Sequence, residues 1–139
     1  MYLDTNIIIY AIENHPKYGV ACKKILSDIE SGKLKVSCSM LVLVEIINVL
    51  TKINKILKNE GKEIDIKKNV EAILSLPIIW FDLNFFVIKK ASEYDYAISG
   101  VDYIHVASME INSITKIISA DEEFDKIELV KRVDPLRYT

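Results

Sequence analysis

The sequence predicts an α/β protein of three layers, in which helices cover a central parallel sheet of about five strands. Short apolar runs alternate along the 139 residues with longer segments whose apolar residues recur at helical spacing. Parallel strands need crossover connections, and helices between successive strands supply them. Half of the residues are hydrophobic and 27% are charged, which is typical of a chain that buries one core. We therefore expect a single domain over residues 1–139.

The N-terminal part of the chain begins with a strand and two helices. Residues 2–3 are a short apolar strand candidate, and the segment that follows is typical of a helix capped by Asp4 or Thr5. Apolar residues then recur at helical spacing over about 18–31, and Gly32 ends this helix. These elements give the first strand and its crossover connection.

The middle of the chain supplies two more strands and two more helices. The alternating residues 34–38 predict a strand, and a long helix capped by its first residue, a serine, follows over about 39–59. A further helix covers about 65–75 and ends because Pro77 follows it. The apolar residues 78–81 then predict a buried strand.

The C-terminal part repeats the alternation of helices and strands. One helix is predicted over about 84–98, and a break at Gly100 separates it from a second helix over about 102–112. Residues 116–119, with Ile117 and Ile118 at their centre, predict the fourth strand, and residues 130–133 predict a fifth. The completed pattern has helices between most successive strands, as a parallel sheet requires.

Composition and charge exclude several classes of protein. The longest apolar stretch, residues 41–50, is too short to span a bilayer and is interrupted by Glu45. No basic region precedes an apolar segment at the N-terminus, so we expect a cytoplasmic protein without a membrane partner. Cys22 and Cys38 lack the spacing of zinc ligands and are expected to be buried. A net charge of −2 gives no basic footprint for nucleic acid, although bound cations could supply positive charge locally.

Four acidic residues stand at positions where a carboxylate needs a chemical reason. Asp4 and Asp121 each follow a predicted strand, so both are expected at the carboxyl edge of the sheet, where ligands bind in open α/β proteins. Glu45 lies inside an apolar helix, and Asp102 stands at a helix start. Each aspartate could instead be a helix cap worth about 1 kcal/mol. Carboxylates that converge repel one another unless a cation joins them, and oxygen ligands without His or Cys suit Mg²⁺ or Mn²⁺.

The segments around these acids resemble the four acidic motifs of PIN-domain nucleases. The matching segments are Leu3-Asp4-Thr5-Asn6, Val44-Glu45-Ile46, Val101-Asp102-Tyr103-Ile104-His105-Val106-Ala107 and Ile118-Ser119-Ala120-Asp121-Glu122-Glu123-Phe124-Asp125. The resemblance spans essentially the whole chain, and it implies strand order 3-2-1-4-5 with strands one and four as neighbours. Family members of this size are typically VapC-type toxins, which are endoribonucleases held inactive by a cognate antitoxin and usually paired as homodimers.

The resemblance also implies a role for each matched acid. Asp4, Glu45 and Asp102 match the core metal ligands of the family, and Asp121 matches a more variable fourth acid. Mg²⁺ or Mn²⁺ held there would activate water for cleavage of an RNA phosphodiester bond. The products that the resemblance implies are a 5′-phosphate and a 3′-hydroxyl.

Four further positions near the acids carry weaker expectations. Asn6 matches a polar residue that would orient the first carboxylate, and Ser119 stands where the family usually has Ser or Thr, within reach of the acids or of phosphate. Asp125 could reach the site, but we expect a solvated or capping acid. His105 could act as an acid or base, but we expect it to face the packing or solvent.

Other functions place different demands on the same residues. A phosphatase of the haloacid dehalogenase type needs a second Asp two positions after the first, where this chain has Asn6. A receiver domain has no use for Glu45 inside a helix, and a Rossmann domain needs a glycine-rich first turn that is absent after Leu3. A catalytically silent PIN-like binding module remains an alternative, as does a PIN nuclease of RNA processing or decay.

Overall fold

The computed structural model describes residues 1–138 and contains a five-stranded sheet with helices on both sides. All neighbouring strands are parallel, and their order is β3-β2-β1-β4-β5. The strands are β1 (Tyr2–Leu3), β2 (Ser37–Ser39), β3 (Ile79–Phe81), β4 (Lys116–Ile118) and β5 (Lys131–Val133). The predicted fold class and the predicted strand order are both confirmed.

Six α-helices lie within residues 1–138 and connect the strands. They are α1 (Thr5–Ile12), α2 (Gly19–Glu30), α3 (Leu41–Leu57), α4 (Ile66–Ser75), α5 (Phe85–Ser92) and α6 (Gly100–Ile111). Short 3₁₀ helices cover Lys58–Glu60, Glu122–Lys126 and Pro135–Arg137. None of the described helices combines the length and the apolarity needed to cross a bilayer.

Strand β1 lies at the centre of the sheet and contributes to a hydrophobic core on each of its faces. Successive side chains of a strand point to opposite faces, so Tyr2 packs with one helical layer and Leu3 with the other. The larger core contains α1 and α2 residues such as Ile8 and Ile25, and the smaller one contains Val106 of α6. Burying an aliphatic side chain of this size contributes about 1.5–3 kcal/mol. Burial on both faces anchors β1, and with it the residue that follows the strand.

The predicted third strand and the helix predicted after it differ from the structure. Residues 78–81 were expected to form a buried strand, but β3 is an edge strand and Ile79 is 61% exposed. The helix predicted over 84–98 ends at Ser92. In the segment after it, the rings of Tyr94 and Tyr96 pack on Tyr103 of α6 with centroids 6.1 and 6.2 Å from it. The apolar periodicity predicts that the helix continues here, but the contacts of these rings with α6 stabilise a non-helical segment instead.

The pairing of β1 with β4 determines where the candidate site forms. Leu3 lies opposite Ile118, so the residues after them, Asp4 and Ser119, leave the sheet side by side. The Asp4 N–H donates to the Ile118 carbonyl at 3.0 Å, which extends the ladder by one bond beyond the strand. The carboxyl edge at the centre of the sheet therefore carries an acid and a hydroxyl in contact.

Candidate active site

Asp4 is held by hydrogen bonds to both of its carboxylate oxygens. It is the N-cap of α1, where Oδ1 accepts the Thr5 N–H at 2.8 Å. Oδ2 accepts the hydroxyl of Ser119 at 2.6 Å. The residue is 6% exposed, so these bonds offset part of the cost of burying its charge. The capping role and the site role that the sequence left open therefore coincide in one residue.

Glu45 projects from the second turn of α3 toward Asp4 and α6. Its Oε1 accepts the Thr5 hydroxyl at 2.9 Å and contacts Nε2 of His105 at 2.5 Å. The Glu45 side chain is 29% exposed, whereas His105 is fully buried. A carboxylate among the apolar residues at the start of α3 thus has polar partners on two other helices.

The remaining two acids come from the start of α6 and from the loop after β4. Ser99, rather than Asp102, is the N-cap of α6, and its hydroxyl accepts the Asp102 N–H at 3.4 Å. The Asp102 carboxylate is therefore not used as the cap that the sequence left open. Asp121 does cap its own short 3₁₀ turn, since its Oδ1 accepts the Glu123 N–H at 3.0 Å.

All four acids line one open cavity. The cavity has a volume of about 230 Å³. Its lining consists of Asp4, Thr5, Asn6, Ile9, Glu45, Val49, Asp102 and Asp121. The fold thus brings together carboxylates from four separate segments of the chain at the carboxyl edge of the sheet, where α/β proteins bind ligands.

Ser119 connects the polar groups at the floor of this cavity. Besides donating to Asp4, its Oγ accepts the Asn6 amide at 3.3 Å and the Asp121 N–H at 2.9 Å. The other end of the Asn6 side chain accepts the Ala120 N–H at 3.4 Å. Asn6 therefore acts on Asp4 through Ser119 rather than by direct contact.

Asp125 does not line the cavity. Its two carboxylate oxygens accept Nε and Nη2 of Arg132 at 3.0 and 3.1 Å, in a bidentate pair. Nη1 of the same arginine donates to the Ser119 carbonyl at 3.0 Å. Asp125 is thus engaged in holding Arg132 against the backbone behind the site.

Burial acts on the pKa values of the acids that line the cavity. It raises the pKa of Asp4 to about 6, although the nearby His105 and the Ser119 hydrogen bond act in the opposite direction. Burial also raises the pKa of Asp102. For Glu45 burial acts in the same direction, but the hydrogen bond and charge of His105 hold the pKa below its ordinary value. The cavity therefore contains more negative charge than its own polar groups stabilise.

The donor set fits a hard divalent cation. The cavity offers carboxylate, hydroxyl and amide oxygens, which Mg²⁺ and Mn²⁺ prefer. Among residues 1–138, no three His, Cys, Asp or Glu side chains are already arranged to hold an ion between them. Mg²⁺ commonly keeps several waters and takes only one or two carboxylates directly. The residues present are therefore suited to a hydrated ion rather than to a closed protein cage.

Two residues beside the acids were not predicted as part of the site. His105 does face the packing, but its Nε2 contacts Glu45, and Thr5 donates to the same carboxylate oxygen. A signal for His105 was present in the sequence, because residues three apart share a helix face and His105 follows Asp102 by three positions. Thr5 gave no signal beyond its place as a possible cap.

Known structures with the same fold include a toxin and a toxin–antitoxin complex. VapBC2 from Rickettsia felis, bound to a DNA fragment from its promoter, is 17% identical with a TM-score of 0.66, covering 95% of this chain and 96% of that one. VapC20 from Mycobacterium tuberculosis, a sarcin–ricin loop cleaving toxin, is 18% identical with a TM-score of 0.68, covering 93% and 95%. A toxin–antitoxin complex from Klebsiella pneumoniae is 17% identical with a TM-score of 0.63, covering 96% of both chains.

Sequence comparison supplies the family. No curated protein matches the chain significantly. The model of the PIN domain family matches residues 1–129, which is nearly the whole chain. The acidic pocket lies within the matched residues, at the edge of the sheet between β1 and β4. The chain belongs to the PIN domain family, whose members are nucleases.

Proposed function

We propose that the chain is a divalent-metal-dependent endoribonuclease whose active site is the acidic pocket. The observation that carries this proposal is the convergence of Asp4, Glu45, Asp102 and Asp121 on one open cavity. Such a concentration of partly buried carboxylates is unfavourable by itself and is favourable around a cation. Membership of a nuclease family supports the same conclusion.

The side chains around the cavity would divide the work between ion binding and orientation. Asp4, Glu45 and Asp102 would hold Mg²⁺ or Mn²⁺, with Asp121 as a fourth acid at the rim. The ion would lower the pKa of a coordinated water and stabilise charge on the scissile phosphate. The Ser119 hydroxyl, with Asn6 behind it, would keep Asp4 oriented toward the cavity. We expect a 5′-phosphate and a 3′-hydroxyl as products.

We further propose that the chain is the toxin of a toxin–antitoxin pair, acting in the cytoplasm as a single domain. Structural neighbours that are themselves toxin–antitoxin complexes support this. An open groove of about 320 Å³ between α1, α2 and α4, lined by apolar residues such as Ile12 and Leu76, offers a surface for an antitoxin segment. Co-purification with the product of an adjacent small gene, and its loss in Ala72→Glu at the groove wall, would test this.

A homodimer is also part of the proposal. The start of α5 and the loop before it expose four large apolar side chains, of which Phe85 is 90% and Phe86 is 77% exposed. Leu83 is 40% exposed and Ile88 is 46% exposed. Contiguous apolar surface of this kind favours association with another protein surface.

The decisive experiment measures cleavage of a defined panel of transfer, messenger and ribosomal RNAs. The wild type should cleave with Mg²⁺ or Mn²⁺ and be inactive with EDTA, and end mapping should find 5′-phosphates. Asp4→Asn should be inactive under all conditions, whereas Asp82→Asn, on an exposed residue outside the cavity, should cleave normally. Cleavage that persists in Asp4→Asn or in EDTA would contradict the proposal, and a wild type inactive on every RNA would favour a silent binding module.

A further inference from the structure

His105 joins three separate elements of the fold at the back of the acidic pocket. Its Nε2 lies 2.5 Å from Oε1 of Glu45, and its Nδ1 lies 2.5 Å from the hydroxyl of Tyr2. The Tyr2 hydroxyl also accepts the backbone N–H of Ser39 at 3.1 Å. Tyr2 and His105 are both fully buried. A continuous hydrogen-bonded chain therefore runs from the backbone of β2, through β1 and α6, to the carboxylate on α3.

The donors and acceptors of this chain determine its direction. The backbone N–H of Ser39 can only donate, so the Tyr2 oxygen accepts from it. The hydroxyl hydrogen of Tyr2 is then directed to Nδ1 of His105, which makes Nδ1 an acceptor. In the neutral ring the proton consequently resides on Nε2 and is donated to Glu45, and a protonated ring donates from Nε2 to Glu45 in the same way. Each buried polar group in the chain has a partner in this arrangement, as buried groups require.

The contact with His105 leaves the two oxygens of Glu45 in different situations. Oε1 receives both the Thr5 hydroxyl, at 2.9 Å, and His105 Nε2. Among the described residues, no hydrogen bond reaches Oε2. The Glu45 side chain is 29% exposed, so an unrestrained carboxylate could turn to solvent. Holding Oε1 from two sides keeps the other oxygen available to the cavity.

We propose that His105, oriented by Tyr2, is a positioning residue that fixes Glu45 for binding of the divalent ion. The inference rests on the proposed function, because it assumes that Glu45 is an ion ligand. Partners of metal-binding carboxylates commonly change metal affinity by 10–100-fold when they are removed. A histidine that served only to fill the core would have no such effect on affinity, provided that the variant folds.

The test compares Mn²⁺ affinity among folded variants, measured from the electron paramagnetic resonance signal of free Mn²⁺. His105→Asn retains a polar group near Tyr2 but is too short to donate to Glu45, and it should bind Mn²⁺ about 10–100-fold more weakly than the wild type. His105→Gln is long enough to place its amide near Oε1 and should restore most of the affinity. Tyr2→Phe should weaken binding in the same direction, since it frees the ring orientation. His15→Gln is the matched control, because His15 is the other histidine of the chain and does not line the cavity.

Glu45→Gln separates failure of the inference from failure of the proposed function. If Glu45→Gln weakens Mn²⁺ binding but a folded His105→Asn binds like the wild type, the inference is overturned and the proposed metal site remains. If the wild type itself binds no Mn²⁺, the proposed function and the inference both fall. Should the variants at position 105 not fold, nitrogen-15 spectra of the wild-type imidazoles decide. Added Mg²⁺ should shift the Nε2 resonance of His105 and leave that of His15 unchanged, and the absence of a shift at His105 would overturn the inference.

Discussion

The hydroxyl of Ser119 donates a 2.6 Å hydrogen bond to Oδ2 of Asp4, although 115 positions separate the two residues in the chain. Parallel pairing of β1 with β4 brings them together, since Leu3 lies opposite Ile118. The same oxygen of Ser119 accepts from the Asn6 amide and from the Asp121 N–H. This fully buried hydroxyl therefore forms hydrogen bonds with the Asp4 carboxylate, the Asp121 backbone and the Asn6 side chain.

Replacing Ser119 by alanine should destabilise the protein. The change leaves the Asp121 N–H and one oxygen of Asp4 without their partner, and a buried polar group left unsatisfied costs about 1–3 kcal/mol. Urea denaturation of the metal-free protein would measure this loss. Ser92→Ala is the matched control, because Ser92 is exposed on α5 and its hydroxyl bonds only within its own helix. Equal free energies of unfolding for the two variants would contradict the role assigned to Ser119.

Replacing Asp4 by asparagine should separate stability from ion binding. The pKa of about 6 corresponds to an electrostatic cost of about 3 kcal/mol for the ionised side chain relative to the unfolded chain, at 1.36 kcal/mol per pKa unit. Asparagine removes that charge, but its NH2 group replaces one of the two carboxylate oxygens that accept from Thr5 and Ser119, so one of these hydrogen bonds is lost. We therefore expect the metal-free Tm of Asp4→Asn to equal or exceed that of the wild type.

The same variant should lose the rise in Tm that Mg²⁺ or Mn²⁺ produces in the wild type. An ion at 100 times its Kd stabilises the folded state by about 2.7 kcal/mol, which thermal denaturation detects. Asp82→Asn, with its exposed side chain outside the cavity, should keep the rise. A full metal-induced shift in Asp4→Asn would show that the ion binds elsewhere.

Ion binding should weaken in acid through the pKa of Asp4. Its pKa in the folded protein is raised by burial from 3.8 to about 6, so the carboxylate must lose a proton near pH 6 before it binds a cation. At pH 5 only about a tenth of Asp4 is ionised, and the apparent Kd for Mn²⁺ should be about tenfold higher than at pH 7.5. Titration calorimetry at the two pH values measures the ratio. A ratio near one would contradict the assignment of Asp4 as a ligand.

Asp4 gives the stability of the metal-free protein a pH dependence opposite to that of ion binding. Because the folded pKa of Asp4 lies above the unfolded value, its contribution to stability is fully present below about pH 4 and is lost as the pH rises through about 6. The other acids add their own pH dependence to the free energy of unfolding. The difference between wild type and Asp4→Asn isolates this group, and that difference should grow in favour of the variant between pH 4 and pH 7.

The sequence predicts most accurately those elements in which buried residues recur at regular spacing. The helices α2 and α4 lie within one residue of their predicted limits, because each has an amphipathic pattern with clear end signals. Strand β2 occupies residues 37–39 rather than the predicted 34–38. Leu34 and Val36 are buried ahead of the strand, and hydrophobicity alone does not distinguish a buried loop residue from a strand residue.

The sequence identified the four acids that the cavity brings together and placed Ser119 and Asn6 beside them. It did not identify His105 and Thr5 as partners of Glu45. A carboxylate in an apolar context such as Glu45 is a signal in itself, because burial of charge needs a reason. The contacts of His105 and Thr5 with Glu45 depend on how α1, α3 and α6 meet, and that geometry follows from packing over the whole sheet. The spacing of three residues between Asp102 and His105 is a weaker signal, because a histidine has many possible roles.

The exposed phenylalanines of α5 should matter for association. Phe85→Lys should reduce the apparent mass in size-exclusion chromatography with light scattering from that of a dimer to that of a monomer, because a charge replaces apolar area in the proposed interface. Its metal-free Tm should change little if the monomer folds alone, since the side chain is 90% exposed. Val20→Lys, on a side chain that is 86% exposed on α2, is the control and should leave the mass unchanged. A monomeric wild type would contradict the proposed homodimer.

Asp121 and Asp125 lie on the same 3₁₀ segment and should respond differently to the loss of charge. Asparagine at position 121 can still accept the Glu123 N–H, so the cap is preserved and only the charge facing the cavity is lost. We expect RNA cleavage by Asp121→Asn to fall by at least about tenfold, within the range found when groups around a bound ion are removed.

Asp125→Asn removes one partner of Arg132 outside the cavity, and the Asp125 side chain is 54% exposed. An exposed ion pair contributes up to about 1 kcal/mol, so the variant should lose some stability and keep cleavage within about fivefold of the wild type. Measuring cleavage rates at saturating Mn²⁺, together with urea denaturation, separates the two effects. If Asp121→Asn and Asp125→Asn cleave RNA at equal rates, Asp121 is not part of the site. The cap is intact in Asp121→Asn, so an equal rate would mean that the charge of Asp121 has no role in cleavage.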